Sequence, residues 1–300
     1  FEELSPKAST IGYVYEDLAG TRGFCNQVVP LASKYNMSVV FGDNASEALP
    51  DDAEYAVVED RLTRLANSQP DVLIGCVYDN VCHRIMQAVK NLGFNPKAMV
   101  FTICVAKDDF VSRVGTPGLY ILGVTPWSAS LPLVSSHTGM TVKEFIDMYL
   151  WMHPSSQVAY QAASAFSAAS VLISAIEKAN TTTNTTKVAA ILRGMDETSV
   201  FGQIKFDQNG QNVNPTKLIQ AFNSYTALVA PPSVATGELV YPKPTFDAIL
   251  CLNADPHNVG FYGLAANGSC LRCSPIEVAP FNASIGYRTC EKLVCPPGHR

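Results

Sequence analysis

Cysteine is the residue type with the clearest chemistry in this chain, which contains nine of them. Cys76 and Cys82 flank one strand–helix junction, where they are either the two ends of a small disulfide ring or two buried thiols. Because the count is odd, we expect one thiol to be free or to pair outside this sequence.

The cysteines are densest near the carboxyl end, where five lie between Cys251 and Cys295. Their spacing suits either a disulfide module or a zinc ribbon, and an oxidising compartment favours disulfides. The candidate residues are Cys270, Cys273, Cys290 and Cys295. Six Asn-x-Ser/Thr sequons indicate N-glycosylation in the secretory pathway, unless they are coincidental: Asn36, Asn44, Asn180, Asn184, Asn267 and Asn282.

Short catalytic signatures are missing from the sequence. It has no GxSxG elbow, no Walker loop and no HExxH motif, and its five histidines have no metal-ligand spacing. AGTRG at 19–23 lacks the glycine order of a dinucleotide-binding loop. We therefore predict a binding protein rather than an enzyme, with no cofactor and no metal.

The composition of the chain argues against nucleic acid as a partner and against a membrane span. The net charge is −5, whereas nucleic-acid binding needs a basic surface. No apolar run approaches the roughly 18 residues of a bilayer span. The start of the chain has no charged-then-apolar leader, so we expect an excerpt of a longer protein.

Strands and helices alternate over residues 10–124, which predicts a parallel sheet with helices on both faces. The predicted strands are 10–15, 37–41, 72–77, 99–104 and 119–124. Residues 16–23 read as a turn, and the predicted helices are 24–35 with a kink at Pro30, 53–67, 80–92 and 108–114.

The regular alternation of strands and helices ends at a proline-containing crossover at 125–132. Helices are predicted at 141–152, 157–179 and 187–193, followed by a strand and turn at 201–210. Another strand is expected within 216–228, then a proline-rich stretch at 231–245 and the cysteine-rich tail.

Ligands of parallel sheets bind beyond the carboxyl ends of the strands. Those ends carry Asp17 and Gly20, then Tyr78 and Asp79, and then Thr102. Asp79 is either an acceptor for a ligand amine or the N-cap of the next helix. Gly20 and Asp17 fit a ligand-contacting loop, although a plain turn explains them equally.

Three segments resemble, in order and spacing, the type I periplasmic-binding-protein family, whose type is the leucine/isoleucine/valine-binding protein. They are PDVLIGCVYD at 70–79 with its following helix, PSSQVAYQAA at 154–163 with AIEKA at 175–179, and FGQIKFDQNG at 201–210. The resemblance implies two α/β lobes joined by crossovers, with a small ligand in the cleft between them.

The resemblance also implies a domain plan. It assigns residues 10–124 to lobe two, 125–210 to a partial lobe one, 211–245 to a crossover back to lobe two and 246–300 to the tail. The first half of lobe one is expected upstream of this sequence.

Three aromatic residues take roles from the resemblance. Tyr78 falls where the family places an aromatic ring against the ligand. Tyr160 faces either the cleft or the core, and Trp127 is either a cleft wall or a hinge plug. The glutamate that amino-acid binders carry after the strand at 99–104 is replaced here by Cys104 or a neighbour, so an amino-acid ligand is only the family default.

CEKLVCPPG at 290–298 resembles the start of ephrin-receptor-like repeats, which join ligand domains to a membrane span. We therefore expect an extracellular domain that senses a small molecule and signals through the tail, with a membrane tether downstream and a homodimer through lobe one. The alternatives are a solute-binding protein for a transporter and an α/β enzyme on a similar sheet.

Overall fold

The computed structural model describes residues 4–42, 47–107, 109–223, 225–246 and 248–249, and the backbone of six short strands after residue 261. These residues belong to two compact units. Unit 1 draws on residues 1–123, 220–226 and 239–300, and unit 2 on residues 124–219 and 227–238.

A parallel sheet is the framework of unit 1. Its strands are β1 Thr10–Tyr15, β2 Ser38–Phe41, β3 Val72–Cys76, β4 Ala98–Phe101 and β5 Leu122–Thr125. They pair in parallel in the order β2-β1-β3-β4-β5, and β8 Lys217–Ala221 and β9 Thr226–Ala230 continue the order beyond β5. The predicted α/β fold with five parallel strands is confirmed.

Apolar residues at helical spacing hold the helices of unit 1 against this sheet. In α4 the buried positions are Val81, Cys82, Ile85, Met86, Ala88 and Val89, which form one face of the helix. The helices of this unit are α1 Ala19–Cys25, α2 Val28–Lys34, α3 Tyr55–Asn67, α4 Asp79–Asn91 and α5 Phe110–Val114.

Three expectations about the first helices are wrong. The predicted turn at 16–23 contains the start of α1, and the predicted helix at 24–35 is two helices that break at Asn26 and Gln27. Pro30 does not kink α2 because it lies in the first helical turn, where backbone N–H groups have no intrahelical acceptor.

Unit 2 contains three helices and a hairpin. Its elements are α6 Val142–Met152, α7 Tyr160–Ala179, α8 Thr185–Arg193, β6 Asp196–Thr198 and β7 Gln203–Lys205, with β6 and β7 antiparallel. Their shared core comprises Val171, Ala175, Ala179, Val188, Met195 and Ile204. The single strand expected within 216–228 is the pair β8 and β9.

Helix α7 is, among the described helices, the one whose length and composition would also suit a bilayer span. A third of its most apolar window is buried. Its buried positions include Ala163, Ser167 and Ala175, small residues that let neighbouring elements approach closely. One face of α7 thus contributes to the core of unit 2.

The described tail residues form three antiparallel strand pairs: Tyr262–Leu264 with Cys270–Arg272, Glu277–Val278 with Glu291–Lys292, and Phe281–Asn282 with Tyr287–Arg288. Five predicted positions lie outside the described residues: Asn44, Asn267, Cys273, Cys290 and Cys295. The side chains of Cys270 and Asn282 lie outside them as well.

The centre of the sheet tolerates no side chain at Gly75. A Cβ built there would lie 2.2 Å from the ring of Phe101, which is fully buried. We predict that Gly75→Ala costs about 1–3 kcal/mol of unfolding free energy through overpacking. Urea unfolding measures it, with Gly23→Ala as the control because a Cβ at Gly23 meets nothing within 4 Å. A Gly75→Ala protein as stable as the parent would contradict the close packing.

Candidate functional site

The order of the strands locates one special edge of unit 1. The chain moves from β1 to β2 on one side and returns through β3 on the other, so the winding direction reverses between β1 and β3. In sheets of this kind, ligands bind beyond the carboxyl ends of the strands at the reversal. Glu16 follows β1 there, and Tyr78 follows β3 as the N-cap of α4.

The side chain of Tyr78 is exposed at this edge. The residue is 45% exposed. A Cβ built on Gly20, in the first turn of α1, would lie 3.5 Å from the Tyr78 hydroxyl. The structure therefore brings the predicted residues Gly20 and Tyr78 together.

Glu16 is the residue that sequence reasoning missed, because it was assigned to a turn. It is 2% exposed, and its carboxylate accepts the Tyr78 backbone N–H through Oε2 and the Asp52 N–H through Oε1 at 3.2 Å. Burial raises the pKa of Glu16; the two N–H donors lower it, and Asp51 and Asp52 raise it. An acidic residue directly after a buried parallel strand is the signal that would have found it.

Asp79 is the first residue of α4. The N-cap position belongs to Tyr78 and no side chain caps the helix, so the capping alternative for Asp79 is wrong. Asp79 Oδ2 accepts from Lys107 Nζ, which comes from the segment after β4. The other oxygen, Oδ1, is buried without a hydrogen-bond partner, although an aspartate in the first turn benefits from the helix dipole.

Thr102 follows β4, the neighbour of β3 in the sheet. Its backbone N–H donates to the Gly75 carbonyl at 3.2 Å, which fixes the main chain. Its hydroxyl oxygen is buried without a partner. Leaving a buried polar group unsatisfied costs roughly 1–3 kcal/mol. Thr102 Oγ1, which can donate or accept, and Asp79 Oδ1, which accepts, are thus two unpartnered polar atoms after adjacent strands that a ligand would satisfy.

Two disulfides bracket this edge. Cys25 at the end of α1 bonds Cys76 at the end of β3, and Cys82 of α4 bonds Cys104 after β4. The predicted Cys76–Cys82 ring is therefore wrong. Each cysteine has a partner from a distant segment with its Cα 6.0 or 6.5 Å away, a separation that disulfides favour.

The two candidates in unit 2 have different environments. Trp127 is 4% exposed, and its Nε1–H donates to the Val200 carbonyl at 2.9 Å. Its ring meets Phe145 edge-on. This packing makes Trp127 a core residue of unit 2, and its role as a cleft wall or a hinge plug stays a prediction. Tyr160 begins α7 and is partly exposed, so its role stays a prediction.

A shallow depression of about 460 Å³ lies at the opposite edge of the sheet, where β3 and β4 begin. Its polar lining includes Asp71, which accepts from Ser9 and pairs with Lys97 at 2.8 Å. Burial raises the pKa of Asp71, but Lys97 and Ser9 outweigh it and hold the value to about 2. Asp71 therefore links the segments that precede β1 and β4. None of the predicted ligand residues lines this depression.

Metal binding finds no support in the part of the chain that the structure describes. No group of three or more His, Cys, Asp or Glu side chains is arranged there to hold an ion.

A family model described as "Periplasmic binding protein" matches residues 4–225. The chain belongs to the periplasmic-binding-protein family. That family binds small molecules rather than converting them, and its members work in the periplasm or outside the cell. The resemblance carried by the three sequence segments is thereby confirmed at the level of the family.

Several solved structures share the fold. A leucine-binding protein from Thermotoga maritima MSB8 has a TM-score of 0.58 at 17% identity, covering 75% of this chain and 61% of that one. A putative branched-chain amino acid ABC transporter from Silicibacter pomeroyi has 0.64 at 14%, covering 80% and 62%. An extracellular ligand-binding receptor from Rhodopseudomonas palustris HaA2 has 0.60 at 15%, covering 74% and 64%.

At these identities the likeness establishes the fold alone. The chain spans less than two thirds of the length of each of these three structures.

The disulfide pairing gives a direct prediction. Because Cys82 and Cys104 close a 22-residue separation, changing both to serine should lower the unfolding free energy by about 3 kcal/mol in urea unfolding. Non-reducing peptide mapping of the parent should recover Cys25 with Cys76 and Cys82 with Cys104. A peptide linking Cys76 to Cys82 would disprove the pairing.

Proposed function

We propose that this periplasmic-binding protein holds a small ligand at the edge of unit 1 formed by Tyr78, Asp79 and Thr102, without changing it chemically. The observation that carries the proposal is the pair of buried, unpartnered polar atoms, Asp79 Oδ1 and Thr102 Oγ1, in the segments that follow β3 and β4. Natural proteins rarely leave buried polar atoms unsatisfied, and the Asp79 carboxylate oxygen calls for a donor.

The ligand group that reaches this edge is a cationic hydrogen-bond donor such as an ammonium. Asp79 already binds one ammonium, that of Lys107, through Oδ2. Lys107 is half exposed, so its amine can return to water when a ligand amine replaces it. Cys104 is at the place where amino-acid binders of the family carry a glutamate, and it is bonded to Cys82. We therefore assign the ligand amine to Asp79, whose Oδ1 is buried without a partner.

Branched-chain amino acids are the first ligands to test. The similar structures include a leucine-binding protein and a putative branched-chain amino acid ABC transporter. Tyr78 supplies an exposed ring for the ligand's apolar part.

A sensing ectodomain is the role we propose for this protein. The sequons at Asn36, Asn180 and Asn184 are exposed, as glycan acceptors must be. The proposal includes the domain plan, which consists of lobe two at 10–124, partial lobe one at 125–210, the crossover at 211–245 and an ephrin-receptor-like disulfide tail at 246–300. It also includes a downstream membrane tether and a homodimer through lobe one.

Delivery of solute to a transporter is the second candidate. It is favoured by the transporter named for the similar protein from Silicibacter pomeroyi. A signalling domain encoded after this segment would favour sensing, and a neighbouring transporter permease gene would favour delivery.

The amine assignment predicts a specific loss of affinity. We expect L-leucine, L-isoleucine or L-valine to bind in titration calorimetry, and Asp79→Asn to weaken binding by about 10- to 100-fold through loss of a charged hydrogen bond. Asp60→Asn, on the exposed face of α3, is the matched control and should bind normally.

Three results would count against the proposal. The 2-oxo analogue of leucine, which lacks the amine, should bind far more weakly than leucine, and equal affinity would refute amine recognition. An Asp79→Asn protein of unchanged affinity would remove Asp79 from the site. If no amino acid or amine of a broad panel raises the melting temperature with concentration, the binding function itself is wrong.

A further inference from the structure

Glu16 joins three segments that are far apart in sequence. Its carboxylate accepts backbone N–H groups from Tyr78 and from Asp52, and its own backbone N–H donates to the Cys76 carbonyl at 3.2 Å. The Glu16 carbonyl accepts from Thr21 Oγ1 of α1 at 2.7 Å. One side chain that is 2% exposed thus connects the end of β1, the segment at 49–53 and the β3–α4 junction.

The Asp52 segment has other anchors as well. Asp52 adopts a left-handed backbone with φ 48°, and Arg84 of α4 donates to its carboxylate and to the carbonyls of Asp52 and Ala53. Leu49 N–H donates to the Tyr15 carbonyl at 2.8 Å. Losing the Glu16 bond therefore leaves this segment held by several remaining bonds.

Tyr78 depends more strongly on Glu16. It is an extended N-cap residue, and α4 has no side-chain cap that would fix its start. The Tyr78 carbonyl accepts from the Cys82 N–H of α4, whereas the described acceptor of the Tyr78 N–H is the Glu16 carboxylate. The Glu16 carboxylate therefore holds the main chain from which the exposed Tyr78 ring extends.

We propose that Glu16 is a positioning residue for the Tyr78 ring, and that proton uptake by its carboxylate loosens Tyr78 and weakens ligand binding. The effect on binding rests on the function proposed above for Tyr78; the effect on the backbone does not.

The chemistry of a carboxyl group provides the coupling. An ionised carboxylate accepts at both oxygens, so it serves Tyr78 and Asp52 together. A protonated carboxyl carries an O–H that must itself donate, which leaves one of the two N–H groups with a poorer acceptor.

Several charged groups surround this carboxylate. Burial raises the pKa of Glu16 above its ordinary 4.5; the two N–H bonds oppose burial, and Asp51 and Asp52 reinforce it. Asp52 is itself paired with Arg84, and two further ion pairs lie at this edge, Asp17 with Arg22 and Asp79 with Lys107. Glu16 therefore takes up its proton at a higher pH than an exposed glutamate does.

The sign of the pH effect separates local from global behaviour. Because the folded pKa exceeds the unfolded one, the folded state binds this proton more tightly. Lowering the pH through that range therefore favours the folded state through Glu16, while the Tyr78 N–H becomes less protected. Global unfolding would expose all amides together, so local loosening at Tyr78 is distinguishable from it.

Hydrogen exchange of the intact chain, followed by mass spectrometry over a pH series and corrected for intrinsic rates, tests the inference. In the parent protein, protection of the peptide containing Tyr78 should fall about tenfold as Glu16 is protonated. Glu16→Gln should show the lower protection at every pH and no pH step. Glu47→Gln, a matched change at an ion pair with Arg61 and Arg64, should keep the parental step.

A second variant covers a failure of Glu16→Gln to fold. Glu16→Asp keeps an ionisable carboxylate on a shorter side chain, so it should retain a pH step at lower overall protection. Parental protection at Tyr78 in Glu16→Gln, or a pH step that persists in it, overturns the inference; if only Glu16→Asp folds, the absence of a step overturns it.

Titration of L-leucine into the same proteins forms a separate arm. Weaker binding in Glu16→Gln, together with a flattened pH profile of affinity, supports the link to the ligand. If hydrogen exchange shows the expected pH step but leucine does not bind, the link to the ligand and the leucine assignment are overturned. The positioning role of Glu16 then still rests on the exchange data.

Discussion

The parallel pairing of β1 with β3 is the constraint on which the rest of unit 1 depends. Because Tyr15 is in register with Cys76, the segments that follow both strands emerge side by side at one edge. Glu16 therefore meets the Tyr78 backbone, although 61 residues lie between them in sequence. A slip of this register by one residue would turn every buried side chain of β1 toward the opposite face.

Rigidity at this edge comes from covalent and polar links in addition to core packing. Tyr78, Asp79 and Thr102, which follow the strands, are polar and at least partly exposed, and such segments are mobile unless they are tied down. Cys25–Cys76 and Cys82–Cys104 connect α1 and α4 to the strand ends, and Glu16 fixes the main chain between them. A site organised before the ligand arrives loses less entropy on binding.

The same edge sacrifices some stability. Asp79 Oδ1 and Thr102 Oγ1 are buried without hydrogen-bond partners, and burial disfavours the charged form of Glu16 and raises its pKa. Each is unfavourable in the unliganded protein, and a core built only for stability would replace them with apolar groups. Their position at the reversal of the strand order gives these unfavourable features a common explanation in ligand binding.

Local patterns in the sequence were sufficient for the sheet and for most helices. Apolar runs such as 72–77 and the spacing of Val58, Leu62 and Leu65 depend only on neighbours along the chain, and they gave strands and helices that the structure confirms. The three family segments were readable for the same reason. Tyr78 could be proposed from its place after a predicted strand, without knowledge of what surrounds it.

Contacts through space were decided by the tertiary structure. The partner of Cys76 is Cys25 rather than Cys82, Trp127 lies in a core, and Glu16 binds two distant amides. None of these contacts follows from the periodicity of the sequence. Parallel strands are joined by long crossover connections, so residues that become neighbours in the sheet are far apart along the chain. The sequence by itself determined which segments are strands and helices; the pairing order of those strands decided which of their ends share an edge.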